Sequence, residues 1–199
     1  MDYKSSRLFQ DQNRKLIIRD RGDYYKNLRH RFDEKTKRKP KPAPDSALIS
    51  EMRATRLVRQ DIKESLGRRP AESGGILLSD TNDYTITCFI YDIAASQNST
   101  IYQPNTTFLN SVLKGRNEQF VGIVHSHTAG YWRLSTQDRN AAWSNMTSPG
   151  NPHLYAYLMP IVQTIPDTGR FKIHPYIVTC HPAGNGRVNV KKVNLRIVD

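Results

Sequence analysis

The sequence predicts an α/β (equally, α+β) domain over residues 46–199, preceded by a basic extension over 1–45. Three observations lead there. Short β-rich apolar runs alternate with stretches whose apolar residues recur at helical spacing. A Lys/Pro stretch, KTKRKPKPAPDS at 35–46, has the composition of a semi-rigid linker and marks a boundary. At 199 residues, with 37% hydrophobic and 24% charged content, the chain can hold one domain with its own core plus an appendage.

In chain order, the extension carries scattered aromatics (Phe9, Tyr24, Tyr25, Phe32) that suit either a solubilising arm or one or two short docking helices. From Asp45 or Ser46 a helix is predicted: Leu48 and Met52, then Val58, Ile62 and Leu66, recur at spacing four before GRRP ends the run. A Gly pair leads into the apolar strand of ESGGILLSD, and YTITCFIYDI (84–93) is a second strand. NTTFLNSVLKGR (105–116) is a short helix whose KGR end is a simple stop. FVGIVHSH (120–127) is a buried strand and STQDRNAAWSNM (135–146) a helix. LYAYLMPIVQT (154–164), FKIHPYIVTC (171–180) and RVNVKKVNLRIV (187–198) complete the strands, with no internal repeat.

The net charge of +12 is uneven. Residues 1–45 hold 14 Lys/Arg against 7 Asp/Glu, and the rest 16 against 11. Much of the basic character therefore belongs to the extension, and nucleic acid is not expected on the domain itself. No apolar run approaches the roughly 18 residues of a membrane span, and the start of the chain lacks a signal-like apolar core. A cytoplasmic protein without membrane contact is expected. Cys88 and Cys180 then read as small core residues of two strands. The sequons at Asn98 and Asn105 carry no weight in that compartment.

The chemistry concentrates in VGIVHSHTAGYWRLSTQD, residues 121–138. His125 and His127 are two apart in a strand, so both imidazoles leave one face and Ser126 turns away. Paired neutral imidazoles begin a Zn²⁺ site, which takes His and carboxylate ligands at about 2 Å. Asp138 is the candidate third ligand, because 128–134 is short enough to loop back and STQD opens the next helix. The same Ser-x-x-Asp is a helix-capping pattern with Ser135 as N-cap, and one residue can do both jobs. A proton carrier is still needed. Glu72 is the candidate: it precedes Gly74-Gly75 and a strand that can run beside 120–127, although a surface acid is the plainer reading. His30, His153, His174 and His181 read as structural or solvated.

Glu72, then His125-Ser126-His127, seven residues, and Ser135-x-x-Asp138 together resemble the motif of the JAB/MPN (JAMM) zinc metalloprotease family. ESGGILLS is similar to the family's Glu-x-Gly-Gly strand entry, Leu134 fits before Ser135, and the order of elements agrees over about residues 46–199. The resemblance implies a single JAB/MPN domain of deaminase-like architecture, a mixed β-sheet flanked by helices, holding one Zn²⁺. It implies His125, His127 and Asp138 as metal ligands, Glu72 as catalytic general base and acid, and Ser135 as a catalytic oxyanion stabiliser. The implied activity is that of an isopeptidase or peptidase cutting after the C-terminal glycine of a ubiquitin-like protein, in deconjugation or precursor processing. The implied partners are that protein's C-terminal tail and, in prokaryotic relatives, E1- and E2-like enzymes of antiphage defence pathways. Processing of a sulfur-carrier protein is a neighbouring alternative, and a non-catalytic scaffold is one from another class. Thr128 stands where most members have Pro, which leaves the strand exit looser. Tyr131 and Trp132 in the following loop either wall a channel or pack.

Overall fold

The computed structural model describes residues 50–68, 72–95, 101–128, 130–165, 170–181 and 186–199. The basic extension and its linker, predicted over 1–45, lie outside these residues. In chain order the elements are β1 (Glu51–Thr55), α1 (Arg56–Ser65), β2 (Gly74–Leu78), β3 (Cys88–Tyr91), α2 (Thr106–Leu113), β4 (Phe120–His127), α3 (Thr136–Thr147), β5 (Tyr157–Leu158), β6 (Ile161–Ile165), β7 (Arg170–His174), β8 (Tyr176–Cys180), β9 (Val188–Lys192) and β10 (Asn194–Val198). Eight strands form one mixed sheet in the order β3-β2-β4-β5-β8-β9, with β6 beside β4 and β7 beside β6. The mixed sheet with helices is the architecture the sequence led us to expect: α1 packs on β3 and β10, and α3 on β8 and β9. No helix among the described residues is long and apolar enough to cross a membrane.

The first predicted helix begins later than its apolar spacing suggested. Met52 and Ala54 are buried between half-buried neighbours, the period of a strand, and β1 pairs in parallel with β10. Thr55 then caps α1, its hydroxyl accepting from the Val58 amide at 3.3 Å. The four-residue stripe starts only at Val58, continuing through Ile62 to Leu66, all buried. Met52 lies six residues before Val58, a step that fits no helical face.

The strands predicted at 154–164 and 171–180 are each divided by a proline. Leu158 pairs with Ile177 before the break and Ile161 with His174 after it, so the register is continuous and Pro160 stands opposite Pro175. Neither proline has an amide hydrogen to give its outer neighbour. Their carbonyls still serve: His125 N bonds Pro160 O at 3.4 Å and Val193 N bonds Pro175 O at 3.1 Å. Beyond Val193 the chain leaves the sheet as β10, which is why the predicted strand 187–198 is two.

The strand predicted at 84–93 is ladder only over Cys88–Tyr91: Tyr84 has a left-handed φ of +58°, and Ile86 makes only an isolated bridge to Ala54. Cys180, expected in the core, is exposed at the end of β8, and Cys88 is half-buried at the start of β3. Strand ends, unlike strand centres, leave one side open to water.

Candidate metal centre

β4 supplies the floor of the site. All eight of its residues are buried, between β2 on one side and β5 and β6 on the other. β2 runs antiparallel to it with Gly74 opposite His125, and continuing that register sets Glu72 opposite His127. Ser126, turned to the other face, fastens this end: its Oγ accepts from Ser73 N at 3.0 Å, and its own amide donates to Ser73 O at 2.7 Å. The predicted neighbour relationship of the Glu72 strand and the His-x-His strand is thus real.

The two imidazoles meet, Nε2 to Nε2 at 2.8 Å, in rings 4.7 Å apart between centroids. Asp138, in the first turn of α3, closes on both: Oδ1 is 3.1 Å from His125 Nε2 and Oδ2 is 3.7 Å from His127 Nε2. A tetrahedron with arms of 2.0–2.1 Å has an edge of roughly 3.3 Å. The three donor separations bracket that edge, so these residues fit one small divalent ion. Glu72 also comes close, its carboxylate and the two imidazoles having donor atoms within 4.8 Å of one another. Glu72, His125, His127, Ser135 and Asp138 line one cavity of about 520 Å³.

Asp138 also makes the helix cap that its sequence pattern predicted. Its amide donates to Ser135 Oγ at 3.1 Å while its Oδ2 accepts from the Ser135 amide at 2.7 Å, a complete capping box at the start of α3. Ser135 Oγ also donates to Asp138 Oδ2 at 2.8 Å. The hydroxyl proton is therefore spent on the carboxylate, and Ser135 must turn it toward the cavity to serve an oxyanion.

The electrostatics suit ligands in their binding forms. Burial opposes the charge on Asp138, but hydrogen bonding and attraction from His125, with the Ser135 bonds, outweigh it and bring the pKa down to about 2. Burial, then the neighbouring His125, lowers His127 to about 4, so its imidazole is neutral at pH 7. The ring N–H of His127 bonds the Tyr131 carbonyl, which leaves Nε2 for the site. Glu72 moves the other way: burial raises its pKa, opposed by His125 and by hydrogen bonds from the Thr128 and Tyr102 amides. A carboxyl raised in this manner is suited to carry a proton.

The sequence pattern missed Tyr102, Asp92 and the use of Thr128. Tyr102 stacks on His125 and donates through its hydroxyl to Asp92 Oδ2 at 3.1 Å. Asp92 is 2% exposed and also accepts from the Asn105 amide, at 2.7 Å, where α2 is about to start. The 101–104 segment has no periodicity, so nothing local announces it. Thr128 had a signal in the sequence, since it replaces the proline of the motif this stretch resembles. Its amide reaches Glu72, a bond proline could not make.

In the loop before α3 the two aromatics divide the roles. Tyr131 lines the cavity and is 71% exposed. Trp132 packs, stacked on His174 at 5.8 Å with its carbonyl bonded by Tyr176 OH at 3.0 Å. His153 and His174 are structural, bonding Phe120 O and Gln163 Oε1, both at 2.8 Å.

The fold is similar to a protein of Desulfitobacterium hafniense solved in solution, with a TM-score of 0.51 and 15% identity over 74% of this chain and 93% of that one. A Salinibacter ruber protein, also solved in solution, gives a TM-score of 0.45 and 15% identity over 73% and 92%. No curated protein matches the sequence. The model of a family described as prokaryotic homologs of the JAB domain matches residues 54–187. That span holds all five residues converging on the cavity, and the chain belongs to this family of prokaryotic JAB-domain homologues.

Proposed function

We propose that this protein is a zinc-dependent peptidase or isopeptidase that cuts after the C-terminal glycine of a ubiquitin-like protein. The observation that carries the reading is the convergence of His125, His127 and Asp138 at 2.8–3.7 Å, with Glu72 beside them in one open cavity. His125, His127 and Asp138 are the ligands. Bound by them, a zinc ion would supply a Lewis acid able to polarise the carbonyl and to make water acidic enough to react near neutral pH. Glu72 takes the proton from that water and delivers it to the leaving nitrogen. Thr128 and Tyr102 hold the Glu72 carboxylate in place through their amides. Ser135, turned from Asp138, donates to the carbonyl oxygen as it gains charge. Tyr131 forms the outer wall against which an extended tail is laid.

The partner in this reading is the modifier's tail, presented by the conjugate or precursor. E1- and E2-like enzymes of a prokaryotic conjugation pathway, including one used in antiphage defence, would make such a substrate. Zinc per chain, measured by elemental analysis, is the first test. About one equivalent in wild type, lost in His127→Ala and retained in Glu72→Ala, is expected. Glu72→Ala must also lose cleavage of ubiquitin-like fusions. A zinc-free wild type after metal has been added back would end the reading.

A further inference from the structure

The sheet face that carries the imidazoles also carries charge. His127 is in register with Gln163, and Gln163 with Lys172. Residues directly across a sheet share a face, so Lys172 lies in the same cross-strand row as His127, about 10 Å away at the usual strand spacing. One row back stand His125, Ile161 and His174. Trp132 covers His174, and Trp132 is itself flanked by the Arg133 guanidinium and the Lys192 ammonium, 4.8 and 4.7 Å from its ring centroid. Arg133, Lys172 and Lys192 are exposed, and none of the three forms an ion pair among the described residues. The sequence deepens the imbalance, with six Lys/Arg and no Asp/Glu over residues 170–198. Burial first, then Lys192 and Lys172, lowers the pKa of His174, so it stays neutral at pH 7 and adds no further charge.

Gathered cations without local counter-charges attract an acidic surface. The chain's own extension is no complement, having 14 Lys/Arg against 7 Asp/Glu over residues 1–45. A nucleic acid would draw on an open aromatic face for base stacking, but the Trp132 ring is already engaged by His174 and two cations. We propose that Arg133, Lys172 and Lys192 form a docking platform for an acidic segment of the substrate protein. At about 3.3–3.6 Å per extended residue, that segment lies roughly three residues from the bond that is cut. The inference rests on the peptidase reading and adds a substrate preference to it.

The test uses two fluorescein-labelled peptides that end in Gly-Gly linked to a reporter amine. They are identical except for Asp-Glu-Asp or Asn-Gln-Asn at roughly three residues before the bond. Binding to the zinc-loaded full chain is followed by anisotropy, and cleavage in parallel. At about 50 mM salt the acidic peptide should bind about fivefold tighter, a gap that closes by about 0.5 M. The triple variant Arg133→Ala, Lys172→Ala, Lys192→Ala should lose the preference with zinc content and unfolding temperature unchanged. Lys172→Arg with Lys192→Arg should keep it. In cleavage the preference should appear in KM, with kcat within about twofold. Equal binding of the two peptides, or a preference that survives in the triple variant, would overturn the proposal. Single-stranded DNA that binds through the same three residues while the peptides bind equally would overturn it too, making the surface a nucleic-acid site. Acidic preference without any cleavage would instead sink the peptidase reading and leave the platform standing.

Discussion

The Tyr102 ring lies over the His125 imidazole, with 6.1 Å between centroids and 20° between planes. The same residue's amide reaches Glu72, so one side chain and its backbone bear on both halves of the candidate centre. Tyr102→Phe should keep zinc stoichiometry but cost about 1–2 kcal/mol of stability, because Asp92, buried beneath, loses one of its donors. Tyr102→Ala should weaken zinc binding about tenfold, as removal of ligand-orienting groups does elsewhere. Competition with a chelating dye measures the second effect. Unchanged affinity in Tyr102→Ala would reduce the ring to simple packing.

The glycine pair is required by close approach. A Cβ at Gly74 would fall 2.4 Å from the Tyr102 ring, and one at Gly75 would fall 2.1 Å from the Ile90 carbonyl oxygen. Gly74→Ala should cost about 1–3 kcal/mol, the ring being able to move. Gly75→Ala should cost more, since its obstacle is the backbone of the neighbouring strand. Denaturant unfolding of both variants gives the order.

Thr128→Pro removes the amide that bonds Glu72. Cleavage should drop about tenfold, the scale of one lost hydrogen bond to a carboxylate, with zinc content intact. Thr128→Ala keeps the amide and should match wild type. If the two variants behave alike, the amide has no part in placing Glu72.

Stability of the metal-free protein should fall as pH is lowered through a window set by His127. Its folded pKa of about 4 lies below its ordinary value of 6.5, first because of burial and then because of His125. Between those values the unfolded chain binds more protons, so stability rises with pH across the window and is lost as pH falls toward 4. The slope is at most about 1.4 kcal/mol per pH unit, the limit for one proton. Thermal melts of chelator-treated wild type and His127→Asn between these pH values test it, the variant being expected to show the shallower slope.

Much of the site was legible because its signal is local in sequence. His125 and His127 share a face by strand period alone, and Ser135 and Asp138 announce a helix start by their spacing. Glu72 needed the pairing of β2 with β4, which the Gly pair suggested and the register delivers. Tyr102 and Asp92 were not legible, since their alliance is made by tertiary approach over a loop with no pattern. Apolar spacing misled at Met52, where a strand and a helix abut at Thr55 and both faces are apolar. Pro160 and Pro175 could be seen, but not that they stand opposite one another, because register is a property of two strands and not of either sequence.

Asp138 Oδ2 is fixed by the Ser135 amide and hydroxyl at 2.7 and 2.8 Å, and both imidazoles stand on a fully buried strand. Such donors need little ordering when an ion arrives, because a helix start and the middle of a sheet have already immobilised them. If the proposed zinc site is real, folding and loading would be separable events in this chain, unlike small zinc modules that collapse without their metal. A domain without the ion would keep its fold and hold the same donors in place. In the zinc-peptidase reading proposed above, the free zinc around such a domain would set how much of it is active, with no new synthesis and no degradation.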